Sequence, residues 1–536
     1  MNESNSDQGR PRPAALRYFD PQWISPSSET VTCDVCVYGG TAAGVVAAVT
    51  ALQRGHSVTL LHPGQFLGGM TTGGLGWTDF GHKEAIGGLS RRFYADLGAH
   101  YGKEEEWQFE PHVAQAVTDA WLQAHDVRVL RGQYLEGVEL DASVRKIRRI
   151  GLFGGLKVEA KQFVDATYEG DLMAAAGVSF TVGRESNATY GETVNGIQVR
   201  SLHQFNPPVD PYVIPGVANS GLLPQVENVD QRAHAGKGDK RIQAYCFRMC
   251  MTDDPALKID WEKPGGYDPL EYELARRWFN SDKDEYNDQM AGQRLVPAKF
   301  DIFPNRTPGA YRKTDTNNHG PVSSDYIGMN WRWPEADYET REQIFQQHVT
   351  YQKGFYWCMA NDPAIPRRYR DAYAAWGLPC DEYIETGHWP HQLYVREARR
   401  MVSDHVITEQ VCVGERSVED PVGLGSYAMD SHNCTRFVMD GGVMNDGDVQ
   451  TPLPAPYPVS YRSIVPKRGE CENLWVPVCL SASHIAYGSV RMEPVFMALA
   501  ESAVVAATMA IENGCSAQDL PYEELRGELE SRGQAI

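Results

Sequence analysis

The sequence predicts an α/β fold built on a parallel sheet, and two stretches of the chain support this. Residues 34–76 run from an apolar strand through a glycine turn into an alanine-rich helix, a second strand and a second glycine cluster. Near the carboxyl end, another apolar strand leads through a polar segment into a long alanine-rich helix. Strands that alternate with helices are typical of parallel sheets, because a helix makes the crossover between neighbouring parallel strands.

The first glycine turn has the spacing of a pyrophosphate-binding loop. It matches the first and last positions of G-x-G-x-x-G and has a threonine at the middle one, reading Gly39-Gly40-Thr41-Ala42-Ala43-Gly44. The first glycine allows a tight reversal, and the last lets the helix lie close to the strand. Free N–H groups at the helix start then face the ligand. A helix over 42–52 and a strand over 58–61 complete the unit, so we predict a Rossmann-like domain that binds a dinucleotide.

The residue that ends the second strand departs from the usual pattern. An acidic residue is expected there to bind the hydroxyl groups of the adenosine ribose, and this chain has His62. An imidazole donates or accepts a hydrogen bond but brings no fixed negative charge. We predict that His62 contacts the dinucleotide, and a histidine in a surface loop is the alternative interpretation.

A second glycine-rich segment follows directly and indicates which dinucleotide is bound. It contains Gly68-Gly69-Met70-Thr71-Thr72-Gly73-Gly74. A nicotinamide dehydrogenase needs no such segment, whereas FAD is longer and is held extended. Glycines let main-chain N–H groups approach its phosphates and its ring without Cβ clashes. We therefore predict FAD as the cofactor, with a mobile loop as the alternative.

Composition narrows the classes of partner. The 536 residues are long enough for two domains, and 42% hydrophobic content is that of an ordinary globular protein. A net charge of −20 argues against nucleic acid and anionic membranes, which leaves small molecules. The first 30 residues contain no apolar core of a signal peptide, and no window of 18 apolar residues predicts a membrane span. We expect a cytoplasmic protein, and both a monomer and an oligomer remain open.

The 11 cysteines do not have the spacing of a metal site. Cys33 and Cys36 form a close pair, but there is no second pair at the spacing that a metal site needs. Cys246 and Cys250 have helical spacing. We predict no metal and interpret the thiols as small buried hydrophobic groups in a reducing compartment.

The remainder of the first half predicts further helices and short strands. A helix is expected over 111–125, and alternating runs over 127–130 and 135–140 suit a small sheet beside the nucleotide fold. An apolar strand over 163–167 ends in small and acidic residues and precedes a helix over 172–176. From about residue 183 to 441 the chain becomes rich in Pro, Trp and Tyr.

The carboxyl-terminal stretch provides a second contribution to the nucleotide domain. A strand is predicted over 473–478, and a long helix over 495–512 follows the polar segment 481–494. Pro494 lies in the first helical turn, where its missing N–H costs nothing. If the helix start faces the flavin C2 carbonyl, its dipole stabilises the anionic reduced ring.

Together these motifs resemble the FAD-dependent oxidoreductase family whose members are often labelled putative xanthan lyase-like flavoproteins. The resemblance runs over residues 33–512 and rests on the two glycine segments with Thr78-Asp79, on Asp165-Ala166-Thr167 with Gly170-Asp171, on Tyr394-Val395-Arg396-Glu397-Ala398-Arg399-Arg400, and on Ser483-His484 with Arg491-Met492-Glu493-Pro494. It implies a glutathione-reductase-like FAD fold with an inserted α+β substrate domain. The family has Thr at position 41, whereas His62 replaces its usual glutamate.

The motifs and the resemblance give the predicted domains and cofactor contacts. The domains are a flexible segment over 1–30, the two parts of the FAD-binding domain over 31–182 and 442–515, a substrate or cap domain over 183–441, and a tail over 516–536. The predicted FAD contacts are Gly39, Gly40, Thr41, Ala42, Ala43, Gly44, His62, Gly68, Gly69, Met70, Thr71, Thr72, Gly73, Gly74, Asp165, Ala166, Thr167, Ser489, Arg491, Glu493 and Met497.

Catalysis by such an enzyme needs a base beside the flavin, and histidine suits neutral pH. His484 and His432 are the candidates, and each has a core histidine as its alternative interpretation. Tyr487, Arg491 and Arg396 are candidates to orient a polar substrate. Arg396 and Arg400 on one helical face equally fit structural salt bridges, and His388 with His391 form a third candidate cluster.

The leading hypothesis is oxidation of a small hydroxyl-bearing substrate, such as a sugar or polyol. It rests on the FAD signature, the late histidines and the aromatic middle region. The first alternative is a flavin-dependent desaturase, amine oxidase or reductase of a secondary metabolite. The second, from another class, is a flavin-binding protein without turnover or a polysaccharide lyase. The electron acceptor is left open between oxygen, a quinone and a protein, as is covalent or non-covalent attachment of FAD.

Overall fold

The computed structural model describes residues 16–141, 143–281, 286–288, 294–296, 305–306, 312–318 and 320–536. Its α-helices are α1 Ala42–Gln53, α2 Gly69–Thr72, α3 Gly88–His100, α4 Pro111–Ala124, α5 Asp171–Ala175, α6 Asn187–Tyr190, α7 Glu273–Phe279, α8 Tyr338–Asn361, α9 Arg367–Ala374, α10 Glu409–Cys412, α11 His484–Val490, α12 Glu493–Asn513 and α13 Tyr522–Ser531.

The strands are mostly short outside the first third of the chain. They are β1 Thr30–Tyr38, β2 Val58–His62, β3 Arg128–Arg131, β4 Leu135–Asp141, β5 Lys146–Leu152, β6 Lys157–Asp165, β7 Phe180–Thr181, β8 Val226–Glu227, β9 Met249–Thr252, β10 Lys258–Ile259, β11 Tyr286–Asp288, β12 Arg294–Val296, β13 Asn305–Arg306, β14 Lys313–Thr316, β15 Leu378–Pro379, β16 Arg400–Met401, β17 Pro421–Gly425, β18 Met429–Ser431, β19 Thr435–Met439, β20 Gly442–Asp446, β21 Val449–Thr451, β22 Tyr457–Ser460 and β23 Leu474–Trp475.

One seven-stranded sheet organises the nucleotide-binding part, in the order β3-β2-β1-β6-β5-β4 with β23 paired to β6. β3, β2, β1, β6 and β23 run parallel, whereas β5 pairs antiparallel with β4 and with β6. The predicted α/β, Rossmann-like fold is confirmed. The separate small sheet predicted for 127–130 and 135–140 is wrong, because β3 extends the parallel sheet at one edge and β4 lies at the other.

The two predicted crossover helices pack together on this sheet. α1 contacts α12, and α12 also contacts β6 and α3. The face of α1 is made of alanine and valine, so the helices approach closely and bury Val45, Val46, Ala503 and Val504. The expectation of no apolar window of 18 residues is wrong, because α12, alone among the described residues, is long and apolar enough to cross a membrane. Of its apolar window, 94% is buried inside the protein. It is therefore the core helix of this layer.

Residues 16–30 differ from the flexible segment predicted for 1–30. Phe19 and Trp23 are buried, and Pro21–Trp23 forms a short 3₁₀ helix that Asp20 caps. Aromatic side chains at Phe19 and Trp23 supply the apolar surface that orders this polar stretch. Residues 1–15 lie outside the described residues. The other predicted domain boundaries stay predictions.

Candidate functional site

The turn between β1 and α1 leaves no room for side chains. Gly39 has a φ of +112°, and a Cβ there would lie 2.6 Å from the backbone of Ala166 and Thr167. A Cβ on Gly44 would lie 1.8 Å from the carbonyl oxygen of Gly39. Both glycines are therefore required by close backbone approaches, as the spacing predicts.

Thr41 at the middle position of the motif caps α1. Its Oγ1 accepts a hydrogen bond from the Gly44 N–H at 3.2 Å and donates to the Ala166 carbonyl at 2.7 Å. The threonine satisfies one of the free donors at the helix start and ties the turn to the end of β6. The helix start still points toward the cleft beside it.

A cleft lies over this turn at the carboxyl ends of β1 and β2, which is where open α/β sheets bind ligands. Its walls come from the glycine turn, the residues after β2, the residues after β6, the loop before β16, α8 and the amino-terminal segment. They include Arg17, Tyr18, Gly39, Thr41, His62, Pro63, Gly64, Gln65, Phe66, Thr167, Tyr168, Glu169, Phe345, His391, Gln392 and Leu393.

His62 faces this cleft in a defined tautomer. The Gly40 N–H donates to its Nδ1 at 3.0 Å, so Nδ1 is the acceptor and Nε2 carries the proton. Burial, with the nearby charge of Arg131, lowers the pKa of His62 to about 3. His62 is therefore a neutral hydrogen-bond donor where an acidic residue is usual.

Replacing His62 should weaken the binding of FAD. His62→Leu removes the acceptor for the Gly40 N–H, and a buried unsatisfied donor costs roughly 1–3 kcal/mol. We expect FAD affinity to fall about tenfold, measured by flavin fluorescence, while His62→Gln retains most of it because its amide both accepts and donates. Since His62 stays neutral above about pH 3, it should add no pH dependence of its own between pH 6 and pH 8, and any change in affinity over that range should be the same in the wild type and in His62→Gln. A tenfold difference that His62→Gln abolishes would contradict this assignment.

The second glycine segment meets the start of α12 through one hydrogen-bonded chain. Gly68 and Gly69 have φ values of +96° and +54° and lead into α2. The Met70 N–H donates to the Tyr168 hydroxyl at 2.9 Å, and that hydroxyl donates to Glu493 Oε1 at 2.6 Å. Burial raises the pKa of Glu493 to about 7. The structure thus brings together the segments that the sequence places at residues 68–74 and 491–494.

The other predicted contacts in this group support the turns. Thr71 lies 3.4 Å from Glu493, Thr72 donates to the Leu67 carbonyl, and Gly73 and Gly74 pack on backbone and side chains of residues 391–392 and Arg248. Ala42 and Ala43 are buried in the first turn of α1.

Asp165 points into the protein instead of the cleft. It accepts from the Thr167 N–H and hydroxyl and from the Met173 N–H, at 2.6 to 3.0 Å. Burial raises its pKa to about 6. Asp165 holds the turn after β6, and Thr167 in that turn lines the cleft.

A second polar group is built around Tyr394. The guanidinium groups of Arg396, Arg491 and Arg248 lie 4.7, 5.6 and 5.8 Å from the centre of its ring. Arg491 Nη1 also donates to the Tyr394 hydroxyl at 2.8 Å. All three arginines are buried, and carboxylates balance them: Asp315 and Asp79 beside Arg248, Asp325 beside Arg396, and Asp430 beside Arg491.

His432 lies between two of these carboxylates. Its Nδ1 is 3.0 Å from Asp325 Oδ2, and its Nε2 is 3.5 Å from Asp430 Oδ2. Burial alone would raise the pKa of Asp325, but the Arg396 guanidinium 2.8 Å away and His432 hold it well below its usual range. Asp325 is therefore an ionised partner that fixes the imidazole.

His484 belongs to a different buried network. Its Nδ1 is 2.9 Å from Glu397 Oε2, its Nε2 is 3.0 Å from Ser431 Oγ, and Arg400 lies 2.9 Å from the same Glu397 oxygen. Protein groups occupy both ring nitrogens. The Tyr487 hydroxyl donates to the Val478 carbonyl at 3.2 Å, so both residues connect α11 to its surroundings.

The helical face predicted for Arg396 and Arg400 is wrong. Residues 392–399 form no helix, and Arg400 begins β16. The Tyr394 N–H donates to the Cys246 carbonyl at 2.8 Å, a long-range bond that replaces helical ones. Arg396 consequently joins the group around Tyr394, whereas Arg400 pairs with Glu397 and Glu185.

The remaining predicted residues lie outside the group around Tyr394 and the network around His484. Ser489 donates to the Tyr427 carbonyl at 2.6 Å, and Met497 is buried against Ser90. His391 lines the cleft and stacks on Phe66 at 4.5 Å, while the Nδ1 of His388 lies 3.0 Å from the Glu382 carbonyl.

Several residues of the site were missed from the sequence. Arg17 and Tyr18 line the cleft, Tyr168 joins the second glycine segment to α12, and Asp325 holds His432. Tyr168 lies within the Asp165–Asp171 motif, so that motif could have identified it from the sequence. The others belong to no motif.

One further set of carboxylate and imidazole groups has the composition of a metal site. Ligand atoms of Glu110, His112 and Glu382 lie within 4.8 Å of one another. The Lys313 ammonium lies 2.7 Å from both glutamates. Lys313 thus supplies the positive charge that a cation would bring.

A family model described as FAD dependent oxidoreductase matches residues 34–529. The chain belongs to this family. The match includes both glycine segments and α12, so the resemblance read from the sequence is confirmed. FAD is the cofactor, and the protein is an oxidoreductase. The residues present fit this dinucleotide. The first glycine turn and the free N–H groups of α1 fit its diphosphate, and the neutral donor His62 fits its adenosine.

Comparison with solved structures finds similarity over part of the chain. L-proline dehydrogenase from P. horikoshii is 14% identical over 30% of this chain and 59% of its own, with a TM-score of 0.24. L-amino acid deaminase from Proteus vulgaris is 14% identical over 30% and 55%, with a TM-score of 0.23. THI4 from Thermovibrio ammonificans is 19% identical over 29% and 66%, with a TM-score of 0.23. The matches thus span less than two thirds of these chains. No curated protein matches this sequence.

Proposed function

We propose that this FAD-dependent oxidoreductase oxidises a small hydroxyl-bearing substrate, a sugar or a polyol, with His432 as the base. The observation that supports this best is the position of His432 between Asp325 and Asp430 in the buried polar group around Tyr394. An imidazole that a carboxylate orients is a suitable general base near neutral pH.

The proposed chemistry assigns one role to each side chain. When bound, FAD supplies the acceptor for the hydride that leaves the substrate carbon. His432 Nδ1–H donates to Asp325, so Nε2 is the atom that takes the hydroxyl proton. The imidazolium then lies between two carboxylates, which stabilise its charge. Arg396 lowers the pKa of Asp325 against the effect of burial, and His432 together with Arg491 lowers that of Asp430.

The substrate class is inferred from two N–H donors in this group that have no acceptor. Within the described part of the chain, Nε of Arg396 and Nε of Arg491 are buried without a protein acceptor. Buried N–H donors need a partner, and the hydroxyl oxygens of a polyol provide several. Tyr394 adds an aromatic ring of the kind on which sugars pack.

Anaerobic flavin bleaching tests this proposal. The purified holoenzyme is mixed with panels of polyols and sugars, amines, and saturated acids, and the absorbance of oxidised flavin is followed. We expect bleaching by a member of the first panel. Bleaching by amines or saturated acids alone would support an amine oxidase or a desaturase instead. Release of an unsaturated sugar with an unchanged flavin spectrum would support a lyase, and no response to any panel would favour a flavin-binding role.

The setting of the reaction is part of the proposal. A small molecule as the substrate and a cytoplasmic location fit the net charge of −20 and the burial of α12. Rapid mixing of the bleached enzyme with oxygen, a quinone or a protein acceptor ranks the three candidate electron acceptors by the rate at which the flavin reoxidises.

A further inference from the structure

Part of the amino-terminal segment lines the cleft over the first glycine turn. Residues 16–20, which we call the strap, precede the first strand of the sheet, and two of them, Arg17 and Tyr18, line the same cavity as Gly39 and Thr41. The strap is therefore part of the cleft wall, although it contributes to neither glycine motif.

One carboxylate on α8 holds the strap from one side. Glu342 Oε2 accepts from the N–H groups of Tyr18 and Phe19 at 2.7 and 3.0 Å, and its Oε1 pairs with Arg17 at 3.0 Å. The next turn of the helix adds Gln346, whose amide donates to the Leu16 carbonyl at 2.7 Å. Two successive turns of α8 thus bind four consecutive strap residues.

The sheet holds the strap from the other side. The hydroxyl of Tyr134, the residue before β4, donates to the Tyr18 carbonyl at 3.2 Å, and the ring of Phe19 packs edge-on against Tyr134 at 4.7 Å. The Tyr18 ring packs on Trp333 at 4.7 Å, just before α8. Because the strap is bound to both walls, the cleft cannot widen at this point without breaking these contacts.

We propose that the strap closes the cleft over bound FAD and that the Arg17 guanidinium binds its diphosphate. Arg17 has a flexible, partly exposed side chain at the edge of the cavity that the start of α1 faces. A guanidinium forms strong charge-assisted hydrogen bonds with phosphate oxygens. Its pairing with Glu342 through one nitrogen leaves the other nitrogens of the fork for the ligand.

The strap would thus give a segment outside both glycine motifs a part in binding the cofactor. Release of FAD requires the strap to detach from Glu342 and Tyr134, so these contacts add to the barrier for dissociation. The inference rests on membership of the FAD-dependent family and is independent of the substrate proposed above.

The test measures release of FAD from the holoenzyme after dilution, by the rise of flavin fluorescence. Glu342→Ala removes the acceptor for three donors of the strap, and Arg17→Ala removes the guanidinium alone. Each should release FAD at least about tenfold faster, the effect of losing one charge-assisted hydrogen bond. Glu339→Ala, on an exposed position one turn earlier in α8, is the matched control and should release FAD at the wild-type rate.

Two further readouts separate the roles of strap and cation. Wild-type release should quicken with added salt, and Arg17→Ala should lose most of that dependence, because salt screens the exposed charge pair. Proteolysis within the strap should be slower in holoenzyme than in apoprotein, and Glu342→Ala should abolish this protection. Wild-type release rates in both Glu342→Ala and Arg17→Ala would overturn the proposal. A normal rate in Arg17→Ala alone would overturn the role of the cation.

Discussion

Gly44→Ala should abolish retention of FAD, with an affinity at least about 100-fold below that of the wild type. The new Cβ would lie 1.8 Å from the carbonyl oxygen of Gly39. That contact is with the backbone, so no side chain can rotate away, and α1 must move off the turn. The N–H groups at the start of the helix then no longer converge on the diphosphate. The amount of flavin that co-purifies and the dissociation constant from fluorescence titration measure the effect.

A second glycine and a matched control make this test specific. A Cβ at position 39 would lie 2.6 Å from the backbone of Ala166 and Thr167, and the residue there has a φ of +112°. Gly39→Ala should therefore also lose FAD. Gly137→Ala, in β4 of the same sheet, meets nothing within 4 Å and should bind FAD normally. Thermal unfolding of each apoprotein shows whether the fold survives. A Gly44→Ala protein that binds FAD normally would place the diphosphate elsewhere.

The parts of this site that could be predicted from sequence are those whose geometry is local. Gly39 and Gly44 are five residues apart, so their spacing alone encodes a reversal and a close helix. Pro494 in the first turn of α12 is a local signal of the same kind. Thr41 marks the limit of such local signals. Its hydroxyl caps α1 and also donates to the Ala166 carbonyl, a partner 125 residues away that no local pattern reveals.

The parts that could not be predicted depend on long-range pairing. Asp325 and His432 are 107 residues apart, and Glu342 meets the strap from 324 residues away. Arg396 and Arg400 have helical spacing, yet the chain between them is irregular because Tyr394 bonds to the backbone at Cys246. Short strands such as β3 likewise read as a separate sheet, since a strand of four residues carries no information about its neighbour.

The same long-range geometry decides which histidine is the better candidate for the base. His484 has both nitrogens bound to Glu397 and Ser431, at 2.9 and 3.0 Å. Proton transfer through it requires one of these bonds to break. The Nε2 of His432 has only a 3.5 Å approach to Asp430, so a substrate hydroxyl can take this place at a smaller cost.

His432→Ala should lower kcat by about 10²- to 10⁴-fold, the range over which general bases act. FAD content and affinity should be unchanged, because no residue of the two glycine segments contacts this imidazole. The expected readout is a fall in kcat with a smaller change in KM, and partial recovery when free imidazole is added to fill the space of the deleted ring. Asp325→Asn should lower kcat less, since it leaves the imidazole in place but removes the charge that orients it.

His56 is the control for the loss of kcat. It also lies beside two carboxylates, but near the end of α12, whereas the group around Tyr394 lies near its start. His56 lies between Glu512 and Asp34, at 3.0 and 3.9 Å, and Glu512 is in the last turn of that helix. A helix of 21 residues is roughly 30 Å long, so His56→Asn should leave turnover unchanged. A purely structural role for His432 predicts that imidazole restores nothing and that flavin is lost along with activity. That outcome would move the base elsewhere, and His484→Ala in the same assay would then show whether it carries the proton.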